Sequence, residues 1–166
     1  QIAPQLIARH PEVRFLFVGD GILREEMERT IASMGLTDHF CFTGLVPPHE
    51  VANYLQAMDI VVHTSLREGL PRVLPQALLS KKPIVTFNLD GAPEVCHHEE
   101  TGLLVEPEST EELLAAICRL IEEPLLGHQL AERGYELCLP MFDHKEMTRQ
   151  VRAVYERVLG TTDEHG

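Results

Sequence analysis

Apolar positions along this chain follow two alternating rhythms. Short unbroken runs predict strands at about 13–18 (V-R-F-L-F-V), 40–43, 60–63, 83–87 and 102–105. Between them, apolar residues recur every three or four positions, as on one face of a helix. Ile2, Ala3, Leu6 and Ile7 predict a short helix ending near His10-Pro11, and Leu23, Met27, Ile31 and Met34 a second one stopped by Gly35. Pro48 opens a third, with Val51, Tyr54, Leu55 and Met58 inward. Leu70, Val73, Leu74, Ala77 and Leu78 predict a fourth, and a short helix is expected over 94–98. Ser109-x-x-Glu112 forms a capping box ahead of Leu113, Leu114, Ile117, Leu120 and Ile121. Pro124 starts a helix reaching about Leu139, and Met147, Val151, Val154 and Val158 mark a last one ending at Gly160. Residues 161–166 read as a disordered tail.

Strands that alternate with helices call for parallel pairing through right-handed crossovers. The expected class is α/β, a doubly wound, parallel, Rossmann-like sheet forming one domain over residues 1–160. Such sheets often have six strands, and five are counted here. The missing one is expected ahead of Gln1, because the chain opens inside an apparent helix with neither a Met nor a basic lead. No repeat, low-complexity run or linker appears.

Composition changes this picture little. Apolar content of 44% and charged content of 24% suit a globular domain, and 166 residues are enough for a core. A net charge of −12 argues against nucleic-acid or anionic-membrane partners. Cys41, Cys96, Cys118 and Cys138 are scattered without a C-x-x-C pair, which points to a reducing, cytoplasmic compartment and away from a zinc knuckle. No run approaches the ~18 apolar residues of a membrane span.

Candidate chemistry concentrates between Asp59 and Phe87. A strand runs into a polar turn with Glu68-Gly69, then a helix, then another strand. In open α/β sheets ligands bind where strands hand over to helices, beside free backbone N–H groups. Gly19-Asp20-Gly21 invites a dinucleotide reading, but the third glycine position holds Arg24 and no acidic strand end follows about 20 residues on. A tight strand-to-helix turn is the better reading. The nine histidines include His97-His98 but no H-x-x-x-H pair; they read as solvated loop residues, and no metal is assigned. No Ser-His-Asp or Cys-His arrangement can be assembled from local motifs.

Glu68-Gly69-Leu70-Pro71, preceded by Thr64-Ser65 and followed by A-L-L-S-K-K-P-I-V, resembles the donor-site signature of retaining GT-B glycosyltransferases, similar to glycosyltransferase family 4. V-G-D-G-I-L, F-T-G, Y-L-Q-A-M-D-I-V-V, D-G-A-P-E and T-G-L-L-V stand in matching order, so the resemblance covers nearly the whole chain. It implies the C-terminal, nucleotide-sugar-binding half of a GT-B fold. The partner would be the protein's own N-terminal acceptor-binding domain, and no metal would be obligatory.

The resemblance also implies roles. Glu68, the residue expected to be catalytic, would hold hexose hydroxyls, where an ionised acceptor makes the stronger hydrogen bond. N–H groups from Gly69, Leu70 and Arg72 would meet sugar and diphosphate, Pro71 having none to offer. Gly44, Leu45 and Val46 would meet the base, although a strand end with a proline turn reads equally well there. Gly19 and Gly21 would line the cleft. Gln76 stands where the family carries a second Glu on the ribose; its amide can still accept from one hydroxyl and donate to another. Lys81 stands where the family usually has Gly. The family's G-R-x-x-x-K-G-type segment, whose Arg and Lys neutralise the leaving diphosphate, is absent. Two other readings stay open: a GT-B enzyme that is not a transferase, such as a sugar-nucleotide epimerase, and a non-catalytic interaction module whose site has drifted at Gln76.

Overall fold

In a computed structural model of the chain, which describes residues 1–160, five short strands and seven helices alternate. Their order is α1 (Ala3–Arg9), β1 (Phe15–Phe17), α2 (Arg24–Ser33), β2 (Phe40–Phe42), α3 (Val51–Ala57), β3 (Val61–His63), α4 (Val73–Leu79), β4 (Ile84–Phe87), β5 (Leu103–Val105), α5 (Thr110–Glu122), α6 (Pro124–Met141) and α7 (His144–Gly160). The tail expected over 161–166 lies outside the described residues. Each predicted strand is present, trimmed to the residues that find a partner.

All pairing is parallel, but the single sheet expected is divided in two. β1 pairs with β2, and β3, β4 and β5 form the second sheet with β4 central. The division has a physical cause: no strand lies between β1 and β3, whose facing edges border a cleft of about 1700 Å3.

β4 shows why the three-stranded sheet reads as a continuous apolar run. All four of its residues are buried. Val85 and Phe87 face a core shared with Leu6 of α1, Leu103 and Val105 of β5, and Leu113, Leu114 and Ile117 of α5. Ile84 faces the opposite core, with Leu55 of α3, Leu74, Ala77 and Leu78 of α4, and Cys138 of α6. Side chains of a strand alternate between faces, so a strand buried on both sides is mostly apolar, and Thr86 is the one polar residue in β4. Gly134 lets α6 pack closely on α4, since a Cβ there would stand 2.4 Å from Leu78 Cδ2. In the smaller sheet the in-register pairs Phe15–Phe40 and Phe17–Phe42 stack with ring centroids 4.6 and 5.0 Å apart.

Three local expectations are corrected. Residues 94–98 are not a helix: a 3-10 turn spans Ala92–Glu94, and the next peptide groups are held by a side chain. Thr101 Oγ1 accepts from His97 N–H and donates to Val95 O, both at 2.8 Å. The capping box at α5 closes on one side only. Glu112 N–H donates to Ser109 Oγ, but the Glu112 carboxylate accepts from Glu106 N–H instead of the cap's own amide. α6 runs to Met141, two residues past the expected end, with Pro140 in its last turn. α7 buries none of its residues and leaves Met147, Val151, Val154 and Val158 about half exposed.

Candidate functional site

The loops that leave the carboxyl ends of β1 to β4 carry the site. After β1, Asp20 Oδ1 accepts from Gly21 N–H and fixes the turn. Gly19 N–H donates to Gly44 O, 3.0 Å, tying this turn to the one after β2. Gly44 takes φ +69, a left-handed backbone that favours glycine, and a Cβ on it would stand 3.2 Å from the flexible end of Arg24. Leu45 beyond it is 83% exposed, an apolar side chain held out at the cleft edge.

β3 delivers the acid. His63 ends the strand, and the chain turns through Thr64–Arg67 to Glu68. Glu68 N–H donates to Asp90 Oδ2, 3.0 Å, and Gly91 N–H donates to Gly69 O, 2.9 Å. The loop after β4 therefore clamps the loop after β3. The clamp is close: a Cβ on Gly91 would meet Gly69 O at 2.6 Å. Asp90 itself takes φ +51, a left-handed conformation that Asp and Asn tolerate better than most residues. With its backbone anchored, the Glu68 side chain is left accessible, and His63 Nε2 stands 3.8 Å from Glu68 Oε1. That distance leaves room for the carboxylate to turn toward a ligand, and the contact becomes ionic when the imidazole is protonated.

α4 begins behind this loop. Pro71 is buried, Arg72 is exposed and caps the helix, and Leu74 N–H already donates to Pro71 O. Gln76 sits on the exposed face of α4, one turn in. The helix closes with Lys81 in the left-handed conformation, φ +54. Lys81 N–H donates to Leu78 O and Lys82 N–H to Ala77 O, the paired bonds of a Schellman end. Lysine thus adopts the backbone the family gives to glycine, and its ammonium is held by the Glu132 carboxylate at 2.9 Å and over the Tyr135 ring at 4.7 Å. The hydrogen bond that Lys81 donates to Glu132 raises the Lys81 pKa.

One cleft joins several of these parts. Gly19, Leu45, Val46, His63, Thr64 and Gln76 all line it at the strands' carboxyl end. Glu68 adjoins it through His63, whereas Gly69, Leu70, Pro71 and Arg72 form the loop behind and Gly21 lies outside its walls. Sequence reasoning missed His63, read as a solvated loop residue; its side chain is 17% exposed at a strand end. It also gave Asp90 and Gly91 no part in the site, where they position Glu68. The signal was a D-G pair following an apolar strand, which marks a specialised turn but not its target.

Among the described residues one group has metal-ligand proximity: His10, Cys118 and Glu122, between α1 and α5 and away from the cleft. His10 Nε2 is 3.3 Å from Glu122 Oε1 but off the direction a hydrogen bond needs, and Arg9 Nη1 points at Cys118 Sγ from 3.8 Å. A guanidinium beside the thiol disfavours a cation there. No described helix is long and apolar enough to cross a membrane.

The sequence profile described as Glycosyl transferases group 1 matches residues 1–137. A 2-deoxystreptamine glucosyltransferase of Streptomyces kanamyceticus is 30% identical over 160 residues, covering 96% of this chain and 41% of the relative. The fold also matches Anabaena HepE solved with UDP, at TM-score 0.85 and 26% identity over 92% of this chain and 43% of that one. The same protein solved with UDP-glucose matches at TM-score 0.83 and 27% identity over 92% and 43%. The chain thus spans about two-fifths of the length of these relatives.

Proposed function

This chain belongs to the Glycosyl transferases group 1 family, and from that premise we propose that it is the donor-binding domain of a retaining, family 4-like enzyme. The enzyme moves a hexose from a nucleoside diphosphate sugar to an acceptor hydroxyl bound on its N-terminal domain. The observation that carries the reading is the Glu68 loop, anchored through Asp90 and Gly91, with its carboxylate beside His63, which lines the cleft together with Leu45, Val46 and Gln76.

Each residue has a task suited to its chemistry. Glu68 accepts hydrogen bonds from hexose hydroxyls and fixes the sugar's orientation. The amides of Gly69, Leu70 and Arg72 donate to sugar and diphosphate, and Gly69 allows close approach. Gln76 takes one ribose hydroxyl as acceptor and one as donor. Gly44, Leu45 and Val46 meet the base with backbone groups and an apolar surface, and Gly19 bounds the cleft on the β1 side, with Gly21 in the turn beyond it. Catalysis is positioning plus stabilisation of charge on the leaving diphosphate, without an obligatory metal. The UDP and UDP-glucose complexes of the Anabaena relative make a uridine donor the first to test.

The decisive experiment is calorimetric titration of the chain with UDP-, GDP- and ADP-glucose, paired with melting curves. Saturable heat and a raised melting temperature for one base are expected. If no nucleotide sugar moves either signal at millimolar concentration, the donor-binding reading is wrong. Retention is tested on the whole protein by NMR of the product, which should keep the donor's anomeric configuration.

A further inference from the structure

His63 is the last residue of β3, in register with Thr86 of β4, and its largely buried side chain lines the cleft. Its ring Nε2 stands 3.8 Å from Glu68 Oε1. We propose that His63 and Glu68 form a two-point clamp on one hydroxyl of the donor hexose. The imidazole Nε2–H donates to the hydroxyl oxygen, and the hydroxyl in turn donates to the Glu68 carboxylate. The inference rests on the donor-binding reading above and deepens it, adding His63 as a residue that selects the sugar.

The spacing of the two groups is the first argument. At 3.8 Å they are too far apart to hydrogen-bond each other, which needs about 2.7–3.2 Å. Among the described residues neither the imidazole nor the carboxylate makes another hydrogen bond, and Glu68 is tied through its backbone alone. An oxygen about 2.8 Å from each atom closes a triangle with them, so a single hydroxyl reaches both. A hydroxyl carries a donor and acceptor lone pairs on one atom, which is what an N–H beside a carboxylate can use. A phosphate oxygen does not fit, since it brings no proton and meets Glu68 as a like charge. The carboxylate facing Nε2 favours the imidazole form that carries its proton there, so the donor is in place.

The second argument is that each group is held from its own side. β4 fixes His63 through the parallel ladder, in which Val61, Val62 and His63 pair with Ile84, Val85 and Thr86. Asp90 and Gly91 fix the Glu68 backbone from the loop after β4. The Glu68 side chain is 45% exposed, so a ligand reaches it. A pair this open contributes little to stability as an ion pair, whereas two pre-placed groups lose little freedom when a ligand joins them. The clamp also discriminates between hexoses. An epimer that turns the hydroxyl away leaves a donor and an acceptor facing one another unpaired.

The test is calorimetric titration of the complete chain and its variants with UDP-, GDP- and ADP-glucose and with the matching free diphosphates. His63→Phe is expected to weaken the bound nucleotide sugar about five- to tenfold and to leave its free diphosphate unchanged. His63→Gln, whose amide nitrogen falls near the place of Nε2, should recover most of that loss, and His63→Asn, which is too short, should not. In a Glu68→Ala background His63→Phe should add less than about a further twofold, because the shared hydroxyl has already lost one side of its clamp. Melting curves check that each variant folds, and His63→Asn stands in for His63→Phe if the ring is not accommodated. No loss, equal loss for nucleotide sugar and free diphosphate, or full additivity with Glu68→Ala overturns the clamp while the donor reading stands. A wild-type chain that binds none of the nucleotide sugars overturns both.

Discussion

Glu68 is held by contacts its own neighbours do not supply. Its amide is tied to Asp90, 22 residues on, and the next residue's carbonyl is tied to Gly91. Two predictions follow from that geometry. Glu68→Ala should weaken UDP-glucose binding by about ten- to a hundredfold, the worth of charge-assisted hydrogen bonds, while UDP alone binds nearly as before. Equal losses for both ligands in calorimetry would assign Glu68 to the nucleotide instead. Gly91→Ala forces a Cβ onto Gly69 O and should cost about 1–3 kcal/mol in urea unfolding as the loop is pushed away. At Gln76 the amide lacks the charge of a carboxylate, so Gln76→Glu should tighten UDP by up to about tenfold. A nucleotide that ignores this change does not lie along the exposed face of α4.

At the scale of elements, helix ends decide more than helix middles. The Schellman end of α4 demands a left-handed residue, and Lys81 fills it at a steric disadvantage partly offset by Glu132 and Tyr135. Lys81→Gly should leave the unfolding midpoint nearly unchanged, because relief of backbone strain balances the lost contacts. Lys81→Val should lower it clearly, since a β-branched residue suits that conformation least. A large drop for glycine would mean that the ion pair, and not the backbone, governs this end. Periodicity placed α4 and α5 well because their stripes are compact and buried. It misplaced 94–98, where Pro93, a 3-10 turn and the Thr101 hydroxyl compete with helical hydrogen bonds. No local pattern announces a side chain that reaches back four residues.

For the whole molecule, burial separates the cysteines. Cys41 is exposed, while Cys96, Cys118 and Cys138 are buried. Native labelling with iodoacetamide should mark Cys41 alone, with the other three reacting only after unfolding. Burial pushes the Cys96 thiol up to about 12 and the Cys138 thiol to about 11, above the ordinary 9.0. The folded state therefore keeps these protons after the unfolded chain has released them. Their contribution is complete below about pH 9 and is lost as pH rises toward 11 to 12. The urea midpoint should fall across that window, and the fall should be shallower in Cys96→Ala. An unchanged slope would mean that Cys96 is not sealed from solvent.

The sequence by itself determined the five strands and the seven helices, adding only a helix over 94–98 that does not form, and with them the parallel pairing and the candidate acid and glycine between β3 and α4. These are consequences of local periodicity and of residue chemistry, both written in consecutive positions. Only the tertiary structure decided that the strands form two sheets, that His63 meets Glu68, and that Asp90 and Gly91 fix the Glu68 loop. Each of these depends on contacts between segments far apart in the chain. The same is true of the cleft between β1 and β3: an unpaired edge is a property of neighbours in space, and no residue carries it alone.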